Sequence, residues 1–231
     1  MHQFTRLPFA QAVVLLVGLL SACAYKGGSM ENPMANSLLW FSFLAGDDIK
    51  RQCHDGAQDW YRLVYNAKFR EQVRVYELNA HQDGFLDQRV MGQGNLSVVS
   101  LDDLAKPWRG DKASMRLIPE QRDALLAALA RDGAFGPPPV GLRLASDTYY
   151  WTAVACHEGR FHFTAWGYPS DRFERLTFPE VLRRLDKTGV VFAPARPFGA
   201  EDWAYKSPRE RDDERWWIEV GSSGLVGVSG R

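Results

Sequence analysis

The stretch Tyr149–Gly167, YYWTAVACHEGRFHFTAWG, leaves the chain little choice of local structure. Two runs rich in aromatic and β-branched residues flank Glu158-Gly159, a dipeptide suited to a two-residue hairpin turn. Folding the runs about that turn sets Cys156 opposite Phe161, Val154 opposite Phe163 and Thr152 opposite Ala165. Successive side chains point to opposite faces of a strand. These six therefore share one face, which reads as core. The other face carries His157, Arg160, His162 and Thr164, with Trp151 directly across from Trp166.

Shorter alternating runs precede this pair. WYRLVYN (60–66) and QVRVYEL (72–78) read as strands around an AKFRE loop, with Val73 and Val75 facing away from Arg74 and Tyr76. FLDQRVM (85–91) follows the turn signal Gln82-Asp83-Gly84, and NLSVVSL (95–101) is a fourth candidate after Gly92-Gln93-Gly94. Polar turns between short strands suggest an antiparallel meander. Residues 118–133 read as a helix, with Pro119 in the first turn, Gly133 past the end and a stripe of Leu125, Leu126, Ala128 and Leu129. FGPPPVG then reads as a stiff extended loop. A second helix is marked by Thr177 and Glu180 at capping-box spacing, Pro179, the stripe Val181, Leu182 and Leu185, and Gly189. The charge run 209–215 reads as a solvated loop, and 216–220 with 225–228 as a last hairpin. The sum is an α+β fold: a mostly antiparallel sheet, a meander plus hairpins, with two helices packed on one face. Its order resembles bacterial envelope domains that have no described activity. Segment 37–46, SLLWFSFLAG, is open between a first strand and a segment packed on the core or a membrane surface.

The N-terminus speaks to location. Arg6 precedes an apolar run that is cleanest over Ala12–Leu20. A membrane-spanning helix needs about 20 apolar residues; this run is shorter and has the length of a signal-peptide core. The residues that follow, Leu20-Ser21-Ala22-Cys23, resemble the lipobox of bacterial lipoproteins. That resemblance covers the first 23 residues. It implies cleavage before Cys23, a diacylglyceryl thioether on Cys23 and acylation of the new amino group. Several acyl chains anchor a protein stably where one holds it only marginally. Ala24, in place of Asp, implies an outer-membrane address facing the periplasm. On this reading residues 1–22 are a lipoprotein signal peptide, 23–37 a lipidated flexible tether and 38–231 a single α+β domain. An ordinary signal peptide with an incidental Cys23 is the alternative.

Without residues 1–22 the chain has 27 basic and 28 acidic side chains. A net charge of −1 supplies no field for nucleic acid or anionic lipid. The two remaining cysteines, Cys53 and Cys156, suit a disulfide in an oxidising compartment; two separately buried thiols are the alternative. Cys53-His54 and Cys156-His157 offer zinc-like ligand types, but adjacent residues of a strand point apart and cannot serve one tetrahedral ion. No metal or cofactor is expected. No serine lies in a Gly-x-Ser-x-Gly setting, GSSG at 221–224 reads as a turn, and no phosphate-cradling glycine motif is present. No catalytic residue is assigned. Tyr149, Trp151, Trp166 and His162 could form a flat surface for a sugar ring or a protein, unless the helices cover that face. The sequence thus points to a lipid-anchored envelope protein acting as an interaction or structural module. An envelope hydrolase with an unmarked site, and a glycan- or peptidoglycan-binding module, are the alternatives. Expected partners are the membrane, through the anchor, and an envelope protein or glycan, with no nucleic acid.

Overall fold

The hairpin at 149–167 forms with the register expected: Cys156 pairs Phe161, Val154 pairs Phe163 and Trp151 pairs Trp166. The computed structural model describes residues 33–68, 71–79, 84–92, 110–197, 199 and 216–230. Along the chain these form α1 (Pro33–Ala45), α2 (Asp47–Gln52), β1 (Trp60–Ala67), β2 (Gln72–Asn79), β3 (Phe85–Met91), β4 (Asp111–Arg116) and α3 (Pro119–Arg131). After these come β5 (Arg143–Ala145), β6 (Tyr149–His157), β7 (Arg160–Gly167), α4 (Asp171–Glu174), α5 (Phe178–Leu185), β8 (Trp216–Gly221) and β9 (Gly224–Gly230). The fold is α+β. Six strands form one antiparallel sheet in the order β4-β3-β2-β1-β6-β7, and β5-β8-β9 form a second, small one. The strand expected at 95–101 lies outside the described residues.

Helices α3 and α5 cover one face of the large sheet. Leu125, Ala128 and Leu129 of α3, with Phe178, Leu182 and Leu185 of α5, pack on Tyr65, Tyr76, Trp151 and Trp166. Segment 37–46 is helical up to Ala45, as the end of α1, and lies on the opposite face. There Trp40, Phe43 and Leu44 of α1, Ile49 of α2, and Ile218 and Val220 of β8 cover Val64, Val75, Val154 and Phe163. Gly46 turns α1 into α2 at φ 69°, and a Cβ there would stand 2.2 Å from Val154 Cγ1. Only glycine satisfies both the left-handed backbone and this close approach.

Two covering elements are fastened by arginines of the sheet. Arg62 of β1 forks onto Asp48 of α2 (Nη1 to Oδ1 2.9 Å, Nη2 to Oδ2 2.6 Å) and donates through Nε to Glu77 at 2.8 Å. Arg74 of β2, on the other face, donates to Asp186 at 2.6 Å and to the Val190 carbonyl at 2.6 Å. The N-terminus of α5 is capped differently from the capping-box expectation. Thr177 makes no side-chain cap, and Glu180 instead accepts from Arg183 and Arg184. The free amides are taken by Asp132, just past α3, whose carboxylate accepts Thr177 N at 2.6 Å and Phe178 N at 2.8 Å. A carboxylate at a helix N-terminus satisfies orphan donors and opposes the helix dipole.

Candidate functional site

Cys53 and Cys156 stand at disulfide distance, Sγ–Sγ 2.03 Å and Cα–Cα 5.4 Å, joining the end of α2 to the end of β6. Cys23 lies outside the described residues. The expected aromatic surface is corrected: Trp151, Trp166 and Tyr149 are each only 1% exposed. Phe178 of α5 lies edge-on to Trp151 at 5.0 Å between centroids and beside Trp166 at 5.3 Å. These rings are core, so no sugar can stack on them. Of the four residues, His162 alone keeps a share of solvent.

His162 belongs instead to a polar cluster at the end of the β6–β7 hairpin. Antiparallel pairing of β1 with β6 sets Tyr61 opposite Ala155, which brings Asp59 and Tyr61 beside His157. Tyr61 donates its hydroxyl proton to Asp59 Oδ2 at 2.5 Å. His157 Nδ1 lies 2.8 Å from the Tyr61 oxygen and 3.1 Å from Asp59 Oδ2. The Tyr61 proton is already given to Asp59, so the contacts of Nδ1 are satisfied only if Nδ1 carries the proton, and the lone pair of the neutral ring sits on Nε2. Asp59 Oδ1 also accepts the Glu158 amide at 2.9 Å, pinning a turn in which Glu158 sits at φ 51°.

Burial pushes the Asp59 carboxyl up. Hydrogen bonds from Tyr61, the Glu158 amide and His157 outweigh it and hold the group below the usual carboxylate range. Burial, then the Asp59 hydrogen bond and charge, raise Tyr61 far above an ordinary phenol. Burial and the charge of His157 lower His162, against a hydrogen bond to the Phe135 carbonyl. Phe135 stacks on His157 at 4.2 Å. The His157 side chain is 25% exposed. With Nδ1–H directed at Asp59, the uncharged form of the His157 ring presents its lone pair at Nε2, where it can accept a proton.

A second feature lies across the molecule. After α5 the chain runs extended over the sheet and is held by its backbone. Gln72 donates to the Val191 carbonyl at 2.9 Å and accepts from Ala193 N at 3.1 Å, while Tyr65 donates to the Ala193 carbonyl at 2.9 Å. Between this strap and α5 is a cavity of about 640 Å³ with Arg74, Asp186, Arg183 and Val191 in its walls. Smaller cavities lie beside the disulfide, at about 530 Å³, and over the β2–β4 face, at about 450 Å³. Among the described residues no group of three or more His, Cys, Asp or Glu side chains converges as a metal site.

Sequence reasoning placed His157 and His162 on one face but missed Asp59, Tyr61 and Arg74. The only signal for Asp59 and Tyr61 was their position at the start of β1, which needs the β1–β6 pairing to acquire meaning. Comparison of the chain with protein-family models, curated proteins and solved structures finds no match.

Proposed function

We propose that this is a lipid-anchored protein of the bacterial envelope whose α+β domain acts as an interaction module close to the membrane surface. The observation that carries the reading is the Cys53–Cys156 pair at bonding distance. Disulfides persist in oxidising compartments, the destination implied by a short apolar leader ending in Leu20-Ser21-Ala22-Cys23. The pair also ties the end of α2 to β6. The test is metabolic labelling with an alkyne fatty acid, followed by membrane fractionation. Wild type is expected to carry label and sediment with membranes, and Cys23→Ala to lose both. Label retained in Cys23→Ala refutes the anchor.

A second reading, an envelope hydrolase, is favoured by the Asp59–Tyr61–His157 geometry. Nε2 of His157 would take a proton from water as the hydroxide adds to an ester carbonyl, then return it to the departing alkoxide. General-base catalysis contributes about 10²–10⁴-fold. Hydrolysis of 4-nitrophenyl esters by wild type should therefore fall by at least about 100-fold in His157→Gln. Equal rates in the two proteins rule this reading out.

A further inference from the structure

The strap after α5 lies on the sheet as a peptide lies on a receptor. Among the described residues, 190–193 make no backbone–backbone hydrogen bond. Three side chains of β1 and β2 hold their backbone instead. Arg74 Nη2 donates to the Val190 carbonyl at 2.6 Å. The Gln72 amide is bidentate: Nε2 donates to the Val191 carbonyl at 2.9 Å, and Oε1 accepts the Ala193 N–H at 3.1 Å. Tyr65 donates its hydroxyl proton to the Ala193 carbonyl at 2.9 Å. Such bonds do not depend on which side chains the segment carries. In the recognition of extended peptides, main-chain bonds give affinity and pockets for alternate side chains give specificity.

One side chain of the strap is read in this way. Phe192 stacks on Tyr65, centroids 4.9 Å apart and planes 10° from parallel, with its ring 5.0 Å from Arg74 Cζ. Val191, its neighbour, is 86% exposed, as alternation along an extended chain requires. The strap is also separable from what precedes it. Asp186 keeps its own bonds to Arg74 and Tyr76, so the end of α5 is fastened independently. Gly189 then stands exposed at φ 73°, a single loop residue able to absorb a change of direction. On its other flank the strap borders the cavity of about 640 Å³ rather than packing on α5.

We propose that Tyr65, Gln72 and Arg74 form a docking groove for an extended peptide segment of a partner protein, one with an aromatic residue in the place of Phe192, and that residues 190–193 occupy this groove as an autoinhibitory strap. The strap displays the chemistry of the occupant: an extended backbone, one inward ring and no charge at the four bonded positions. When it swings out about Gly189, the incoming segment takes over the same four hydrogen bonds and the face of Tyr65. The proposal deepens the interaction-module reading and rests on it for the partner. It does not involve the anchor or the Asp59–Tyr61–His157 cluster, so the fatty-acid labelling test and the test below can fail separately.

The experiment is fluorescence anisotropy of a labelled synthetic peptide, TGVVFAPARP, which copies residues 188–197, titrated with the purified full chain. Phe192→Ala and, separately, Ala193→Pro weaken the strap from its own side and leave the three groove residues intact. A groove already filled binds in proportion to the fraction that is open, so each variant should bind the peptide at least about tenfold more tightly than wild type. Replacing the phenylalanine of the peptide by alanine should abolish that gain, and so should adding Gln72→Ala to Phe192→Ala, with circular dichroism confirming the fold of each variant. A further arm needs no variant: in wild type, millimolar unlabelled peptide should speed hydrogen–deuterium exchange of the Ala193 amide. Wild-type affinity in the folded strap variants, binding that survives Gln72→Ala, or an unchanged Ala193 exchange rate overturns the proposal. A wild-type dimer on gel filtration that excludes the peptide also overturns it, since the strap is then exchanged between copies of this chain.

Discussion

Asp48→Ala should be among the most damaging single substitutions outside the aromatic core. Asp48 is fully buried and Arg62 is 1% exposed. Removing the carboxylate strips the guanidinium of bonds at 2.9 and 2.6 Å and leaves it Glu77, the Phe43 carbonyl and the Phe43 ring, 3.8 Å from Cζ. Glu77 is 30% exposed, so its screened charge cannot replace a partner in the interior. Breaking a buried pair from one side costs about 3–5 kcal/mol, a large part of the roughly 5–15 kcal/mol that holds a typical domain. At about 2–4 °C per kcal/mol for a chain of this size, Tm falls by about 6–20 °C. Urea unfolding with the disulfide intact should show a lower midpoint at unchanged slope. The exposed pair Arg122–Asp123, 52% and 66% exposed, is the internal control; Asp123→Ala should change stability by no more than about 1 kcal/mol. If Asp48→Ala costs no more than that control, the buried-charge argument is wrong. A second arm separates desolvation from packing. Asp48→Leu combined with Arg62→Met should recover most of the loss, because no fully buried charge is left and Glu77, 30% exposed, keeps its water. Additive losses in that double variant would likewise defeat the reasoning.

Three further outcomes are expected. The Cys53→Ala, Cys156→Ala variant releases a loop of 103 residues and should lose up to about 4.7 kcal/mol by the chain-entropy argument; reducing agent should lower the urea midpoint of wild type similarly and leave the variant unmoved. Asp132→Ala exposes the first turn of α5 and should cost about 0.5–2 kcal/mol, with Glu180→Ala, the supposed capping partner, costing less in the same assay. Stability should also vary with pH in two windows. His162 is held below its ordinary value, so the unfolded chain binds more protons and its contribution, present above about pH 6.5, is lost as pH falls below it. Asp59 is likewise lowered, and its contribution, present above about pH 4, disappears on further acidification. His162→Gln should flatten the upper window and Asp59→Asn the lower; urea midpoints from pH 3 to 8 that keep both slopes in the variants contradict the assignments.

The elements legible in the sequence are those whose signal is local. A strict period of two around Glu158-Gly159 fixed β6, β7 and their register, and Pro119, Gly133 and the leucine stripe fixed α3. Segment 37–46 was ambiguous because LLWF is apolar on every side, and a continuous short apolar run has no period to choose between strand and helix. It became α1 because Gly46 and the buried Asp48–Arg62 pair give the following turn only one way to sit on the sheet. Strand β4, DKASMR, offers only Ala113 and Met115 as alternating apolar residues, too weak a period to mark a strand. It stands at the edge of the sheet among the described residues, where a mostly polar sequence also deters pairing with other chains. The cap of α5 was illegible for a different reason: Asp132 acts across 45 residues, and no local pattern encodes it.

The site was less legible than the fold, because alternation assigns a residue to a face without saying what covers that face. Arg62 and Arg74 occupy polar positions in otherwise apolar strands, which ordinarily means water on that side. Here both faces of the sheet are covered, and each arginine meets an aspartate from the covering layer, Asp48 in α2 and Asp186 after α5. The same uncertainty turned Trp151 and Trp166 from a candidate surface into core. The two arginines hold their layers differently. Arg62 forks onto one carboxylate, adds a second and packs flat on Phe43, so its donors are consumed in holding the layers together. Arg74 donates to the Gln72 side chain, to Asp186 and to the Val190 carbonyl, and so ties the strap after α5 to β2. Fold stability alone accounts for the first arrangement. It accounts for the second as well, since Asp186 and the Val190 carbonyl belong to the chain that follows α5, and an apolar side chain at residue 74 would release that strap from the sheet.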